Sequence, residues 1–247
     1  MNLAQNRMMH WNRCVKWALS NKAPTHGFPY MLRLYHFALS PFSRKVRLSL
    51  AEKRIEVELV EERYWEQSTD FLRRNPAGMI PILRLDGKNY TESNAICEYL
   101  EDLYPAPELM PKEAAEKYEV RRLVNWFDDK FYNEVTKKLL NERVIKKISG
   151  EGFPDSKKVK QGAKRIKFHL DYMAWLLERR RWLAGDVMTL ADFGWFLVDF
   201  EWFLVDFGWL WSILYDFGSV YIHVSRGIWK STPKSSPDLK KSENSDK

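Results

Sequence analysis

The sequence predicts a mixed α/β domain followed by an all-helical domain. Three observations carry this. Apolar alternation over Leu32–Phe37 and Ile55–Val60 flanks a helical stretch, the pattern of a βαβ unit. Residues Asn75–Asp102 read in unbroken order as turn, strand, hairpin, strand and helix. Beyond the three-proline string Tyr104–Pro111 (YPAPELMP), apolar spacing becomes helical.

Leu32–Phe37 alternates as a strand. Ser40-Pro41-Phe42-Ser43 then starts a helix, with Ser40 as N-cap and Pro41 at the first position, where a missing N–H costs nothing. Val46, Leu48, Leu50 and Ala51 form its buried face, and it ends near Lys53. Ile55–Val60 is the second strand. Two strands joined through a helix run parallel with a right-handed crossover. Trp65–Arg74 reads as a second, irregular helix.

Asn75–Asp102 is the most informative stretch. In NPAG, Asn-Pro opens a turn and Gly78 can take a positive φ. Ile80-Pro81 opens the apolar run Ile82–Leu85, and proline is tolerated where a strand begins. Asp86-Gly87 is a two-residue hairpin signal that pairs Lys88–Tyr90 back. Ser93 caps a helix whose apolar face is Ile96, Tyr99, Leu100 and Leu103. Singly, Ser93 is an ordinary cap and Pro81 an ordinary turn proline; only the ordered string is specific.

That string, an X-Pro-opened strand, a hairpin, then Glu-Ser at a helix N-terminus, resembles the glutathione-binding half of the thioredoxin-like domain in the glutathione transferase superfamily. The resemblance implies that Pro81 is cis, that the backbone of Ile80 lies along bound glutathione, and that Glu92 and Ser93 hold its γ-glutamyl end. The chemistry agrees, because a helix N-terminus offers free N–H groups to a carboxylate and Glu92 offers an anion to an ammonium. The superfamily also implies a homodimer.

The turn SPFS is where chemistry would sit. Thioredoxin-like redox proteins place C-x-x-C here, because the helix N-terminus lowers a thiol pKa. Ser40 and Ser43 fill both positions, which excludes disulfide exchange at this turn. Similarity to serine-type transferases makes Ser40 the candidate catalytic residue, its hydroxyl donating to the glutathione thiolate, with Arg44 and Lys45 adding positive charge. The same hydroxyl reads equally well as a plain N-cap.

Lys112 to about Lys147 is a long, aromatic-rich helix, broken at Gly150–Pro154. Lys157–Arg181 follows, with Ile166, Leu170, Met173, Trp175 and Leu177 expected to be buried. Thr189-x-x-Asp192 is a capping box, the start of the second domain's core helix in the superfamily and a folding element. Four segments, SPFSRKVRLSLAEK, NPAGMIPIL, RRLVNWFDDKFYNEVTKKLL and HLDYMAWLLERRRWLAGD, are similar to the FtsZ-localised protein A family of alphaproteobacteria. That family has the transferase fold and is a set of cell-division factors that bind FtsZ filaments.

Composition narrows the function classes. Two cysteines, Cys14 and Cys97, make no disulfide framework and have no metal spacing, and five scattered histidines form no HxxxH or HExxH pattern. No metal is expected, and the reading is a cytoplasmic protein. The net charge of +7 is concentrated in Lys137–Lys167, where eleven Lys or Arg face only Glu142, Glu151 and Asp155. Such a face can steer an acidic partner such as FtsZ. No nucleic-acid readout motif accompanies it.

Residues 1–30 carry four Lys or Arg and no Asp or Glu, and read as a disordered extension with Met31 as the start of the fold. The thioredoxin-like domain then spans 31–104, the linker 105–111 and the helical domain 112–222. Within 192–215 the chain departs from the superfamily: ADFGWFL, VDFEWFL and VDFGWLW repeat Asp and Trp every seven residues. An amphipathic helix, a membrane span and repeat slippage in the gene compete. Asp199, Glu201 and Asp206 weigh against a span at roughly 2.5–3.5 kcal/mol each, and membrane contact is not expected. The polar tail 223–247 reads as disordered.

Two functions follow from the resemblance: a non-catalytic, FtsZ-binding division factor, or a glutathione S-transferase conjugating glutathione to electrophiles through Ser40. A degraded gene copy is the third reading.

Overall fold

The computed structural model describes residues 32–195. The leader 1–30, Cys14, most of the heptad segment and the tail 223–247 lie outside the described residues.

β1 (Arg33–His36), α1 (Pro41–Glu52) and β2 (Glu58–Glu61) form the expected unit, and β1 pairs β2 in parallel with Leu34 opposite Leu59. The second strand begins later than its apolar run. Ile55 and Val57 precede it and are buried as loop residues. A one-turn 3₁₀ helix (Tyr64–Glu66) and α2 (Thr69–Arg74) replace the single irregular helix expected there. Gln67 between them takes a left-handed conformation, φ 47°, and ends the 3₁₀ turn.

β3 (Ile82–Leu85) and β4 (Lys88–Thr91) make the hairpin, with Asp86 and Gly87 both at positive φ (51° and 77°) as a primed turn requires. The sheet order is β2-β1-β3-β4, antiparallel at its last two junctions. α3 (Ser93–Leu103) follows directly. Its Ile96 and Leu100 are fully buried, whereas Leu103 is exposed.

The linker is pinned to the α/β half. Lys53, at the end of α1, donates to the carbonyls of Tyr104 (2.6 Å) and Pro107 (2.9 Å). Beyond it runs one continuous helical rod. α4 (Ala114–Asn125) passes into a π-type stretch, Trp126–Ile145, and then into α5 (Lys146–Ser149). In the π-type stretch the apolar residues Phe127, Phe131, Val135 and Leu139 recur every four positions and are all buried. α6 (Ser156–Leu177) packs along it, capped by Asp155, whose carboxylate accepts the N–H of Lys157 at 2.8 Å. Trp175, expected in the core, is half exposed with Arg179 over its ring at 4.5 Å.

α7 (Leu190–Trp195) opens with the capping interaction read from the sequence. Asp192 accepts from the Thr189 N–H (2.8 Å) and hydroxyl (3.2 Å), and also from the Leu183 N–H (2.9 Å). Burial pushes Asp192 up to about 6 in spite of these donors. α7 contacts both α1 and α4, so one apolar cluster runs from Leu34 and Leu50 through Ile96 to Leu123, Phe127 and Phe193. No described helix is long and apolar enough to cross a membrane.

Candidate functional site

The turn before β3 and the first turn of α3 form two walls of an open cleft. Asn75 organises the turn: its side chain accepts the Ala77 N–H (3.1 Å) and donates to the Met79 carbonyl (2.9 Å). Gly78 sits at φ 63°, and a Cβ there would come within 2.2 Å of Gln67 Oε1. The positive φ is what calls for glycine here, and a Cβ would additionally displace the end of the Gln67 side chain. It delivers Ile80 and Pro81, joined by a cis peptide bond, to the cleft.

Ser93 is the first helical residue of α3 and not its cap. The cap position belongs to Glu92, whose side chain makes no capping hydrogen bond and whose backbone stands at φ 67°, ψ 111°. A non-glycine residue in that region is strained, and such strain clusters at binding sites. The first bond of α3 is donated by the Ile96 N–H to the Glu92 carbonyl at 2.9 Å. The N–H groups of Ser93, Asn94 and Ala95 thus have no acceptor within their own helix, and they stand at its positive end.

The cleft holds about 440 Å³ and is lined by Phe42, Asn75, Met79, Ile80, Pro81, Glu92, Ser93, Asn94, Ala95 and Asp128. The predicted binding residues Ile80, Pro81, Glu92 and Ser93 therefore share one cavity. Its chemistry is that of a zwitterion or extended peptide site: N–H donors for a carboxylate, carboxylates for a cation.

Ser40 is almost fully buried at the N-terminus of α1. Its Oγ accepts the Ser43 N–H at 3.3 Å, and the Ser43 Oγ accepts the Phe37 N–H at 3.4 Å. Both hydroxyls thus close the strand-to-helix turn. Capping uses the oxygen as acceptor and leaves the Ser40 proton to donate. Phe42, two residues on, is the part of this turn that lines the cleft.

Lys45 does not act as the free positive charge expected beside Ser40. Its side chain is 1% exposed, donates to Asn94 Oδ1 at 2.5 Å and pairs with Asp128. Sequence reasoning passed over Asp128 and Asn94. Asp128 lies far along the chain from Glu92, and its only signal was a carboxylate pair (Asp128-Asp129) flanked by buried aromatics.

Other titratable groups are structural. Burial pushes the Cys97 thiol up to about 12, so it is no nucleophile. Glu119 is held down to about 2, first by Arg122 and then by Arg180, against its partial burial. Glu142 is held near 2 by Lys146, by the Asp155 N–H and by Lys158. Glu134 gathers Lys130, Arg165 and His169, whose hydrogen bonds outweigh desolvation and hold it near 2. The basic segment is thus partly neutralised from within. Among the described residues no cluster could hold a metal ion.

Residues 34–108 match the family model for the glutathione S-transferase N-terminal domain. Over 165 residues the chain is 43% identical to FtsZ-localized protein A of Caulobacter vibrioides, an alignment spanning 65% of this chain and 72% of that protein. A solved glutathione S-transferase from Rhodospirillum rubrum superposes with a TM-score of 0.66 at 49% identity, covering 68% of this chain and 76% of that one. The solved structure of FzlA from C. crescentus superposes with a TM-score of 0.69 at 38% identity, covering 78% of this chain and 86% of that one.

Proposed function

Because this chain belongs to the glutathione transferase superfamily, we propose that it uses the transferase fold as a cell-division factor that binds FtsZ filaments without catalysis. The observation carrying this reading is the 43% identity over 165 residues to FtsZ-localized protein A. The surface suits an acidic filament. Lys157, Lys160 and Lys164 are exposed and spaced i, i+3, i+7, so they form one stripe on α6. These lysines, and the exposed Lys147, have no ion pair among the described residues. On this reading the protein acts in the cytoplasm as a homodimer.

The test is co-sedimentation with FtsZ polymers. Reversing Lys147, Lys157, Lys160 and Lys164 to Glu should cut pelleting several-fold at low salt, with a smaller difference at high salt. Unchanged pelleting at low salt would remove the electrostatic part, and no pelleting of the wild type would remove the filament reading. Lys146 and Lys158 are unsuitable targets, because both pair with the buried Glu142.

A second reading is favoured by the cleft itself, where a strained Glu92, the α3 N-terminus and cis-Pro81 converge. On this reading the cleft binds glutathione, and Ser40 donates to its thiolate for attack on an electrophile. Calorimetric titration of glutathione decides it. Saturable binding lost in Glu92→Ala supports the reading; no binding by folded protein ends it.

A further inference from the structure

The long rod and α6 run antiparallel, and the bonds between them fix the register. Glu134 meets Arg165 and His169, and Glu142 meets Lys158 and the Asp155 N–H. Residues 150–155 therefore close one end of the helical half as a tip. Both sides of the tip are tied down. Gly150, at φ 76°, ends α5, and the Glu151 N–H returns to the Lys146 carbonyl at 2.9 Å. On the other side the Asp155 N–H donates to the buried Glu142 carboxylate at 2.9 Å, while Asp155 itself caps α6. Only Gly152, Phe153 and Pro154 lie between these anchors.

Phe153 is 95% exposed, and Ile148 on α5 is 47% exposed. Single exposed apolar side chains are ordinary on a protein surface. What sets this one apart is its collar of charge. Lys146, Lys147, Lys157, Lys158 and Lys160 flank the tip, and the acids there are Glu142, Glu151 and Asp155. Glu142 is buried under Lys146 and Lys158, and Asp155 is used by the N-terminus of α6, which leaves Glu151 as the exposed acid. Lys147, Lys157 and Lys160 are exposed and form no ion pair among the described residues. An apolar point within a basic collar matches the boundary of an anionic bilayer. The ring enters the acyl edge, and the ammonium groups stay among the headgroup phosphates. An acidic protein surface would satisfy the lysines without calling for a ring at the apex.

We propose that the tip 148–154 docks the protein reversibly onto an anionic lipid surface, with Phe153 and Ile148 inserted and Lys147, Lys157 and Lys160 on the headgroups. The contact is peripheral and needs no spanning segment; no described helix is long and apolar enough to cross a membrane. It rests on neither reading of the function. It shares its lysines with the filament reading, so Phe153 is the residue that separates the two.

The test is co-sedimentation of the full chain with vesicles of equimolar phosphatidylglycerol and phosphatidylcholine, with vesicles of phosphatidylcholine alone as the reference. Wild-type protein should pellet with the anionic vesicles at low salt, more weakly at high salt, and not with the neutral ones. Phe153→Ser should weaken that binding about tenfold, and Phe153→Trp, which keeps an interfacial ring, should hold it at the wild-type level. Changing Lys147, Lys157 and Lys160 together to Gln should weaken it about a hundredfold, at about fivefold for each lysine. Wild-type protein that fails to pellet with anionic vesicles would overturn the proposal. So would equal pelleting with both kinds of vesicle, or binding that survives Phe153→Ser unchanged, since the contact would then lie elsewhere in the chain. A Phe153→Ser protein that loses FtsZ pelleting but keeps vesicle binding would assign the tip to the filament and overturn the proposal likewise.

Discussion

Lys45 of α1 and Asp128 of the long helical rod form an ion pair that joins the two halves of the molecule, with the lysine side chain 1% exposed and the aspartate 14%. A pair this buried contributes little over apolar residues of equal volume, but removing one partner strands the other. Lys45→Met should therefore destabilise the protein by about 3 kcal/mol. Adding Asp128→Leu should recover much of that loss. Urea denaturation of the single and double variants checks both statements, and a double variant no more stable than the single would contradict them.

The last described helix approaches the rod at Gly194. A Cβ placed there would lie 2.4 Å from Phe127 Cδ2, and Phe127 is fully buried. Gly194→Ala should cost about 1–3 kcal/mol through overpacking. Phe127→Leu in the same chain should reduce that cost, measurable as a non-additive pair of urea midpoints.

Stability should depend on pH through two buried histidines. Burial, and then the charge of Arg47, lowers His36 from 6.5 to about 4. Burial also lowers His169, against the Glu134 hydrogen bond. For a base lowered in the fold, the unfolded chain binds more protons in the window between the two values. The contribution is complete above pH 6.5 and is lost as pH falls toward 4. Asp192 works in the opposite direction: its value is raised from 3.8 to about 6, so its contribution is complete below pH 3.8 and lost as pH rises to 6. Thermal melts from pH 7 to 4 should show a shallower fall in His36→Met and a steeper one in Asp192→Asn at equal reference pH.

At lower pH the carboxylate hubs take over. Glu119 and Glu142 are lowered from 4.5 to about 2 by their basic neighbours, chiefly Arg122 and Lys146. Their contribution is present above pH 4.5 and lost between 4.5 and 2. Glu142→Gln should flatten that limb of an acid titration followed by circular dichroism, and an unchanged limb would show the hub to be inert.

Ser40→Ala separates cap from catalyst. Loss of the cap on the Ser43 N–H should cost about 1 kcal/mol. FtsZ pelleting through the proposed lysine stripe on α6 should stay unchanged. If the cleft binds glutathione and Ser40 serves its thiolate, the thiolate absorbance of the bound peptide should also fall.

Much of this was legible in local sequence because local rules decide it. Asp86-Gly87 could form only a tight turn, Gly78 stood where φ must be positive, and Ser40-Pro41 could begin only a helix. The Thr189–Asp192 box closes on itself within four residues. The matched string Asn75–Asp102 brought Ile80, Pro81, Glu92 and Ser93 together because they are neighbours along one turn and one helix end. The strand at Ile55 was misplaced because apolar residues bury equally well in a loop, and Trp175 because its ring could be served at the surface by Arg179.

The sequence alone thus determined the order of elements, the family resemblance and one wall of the cleft, since hydrogen bonding and hydrophobic period act over a few residues. Only the tertiary structure decided which distant side chains meet there. Asp128 reaches the cleft because the helical rod packs against the α/β half, and Lys45 is spent on holding it rather than on activating Ser40. No spacing in the chain encodes that pairing. It arises from two charges buried at one interface, where each must find the other.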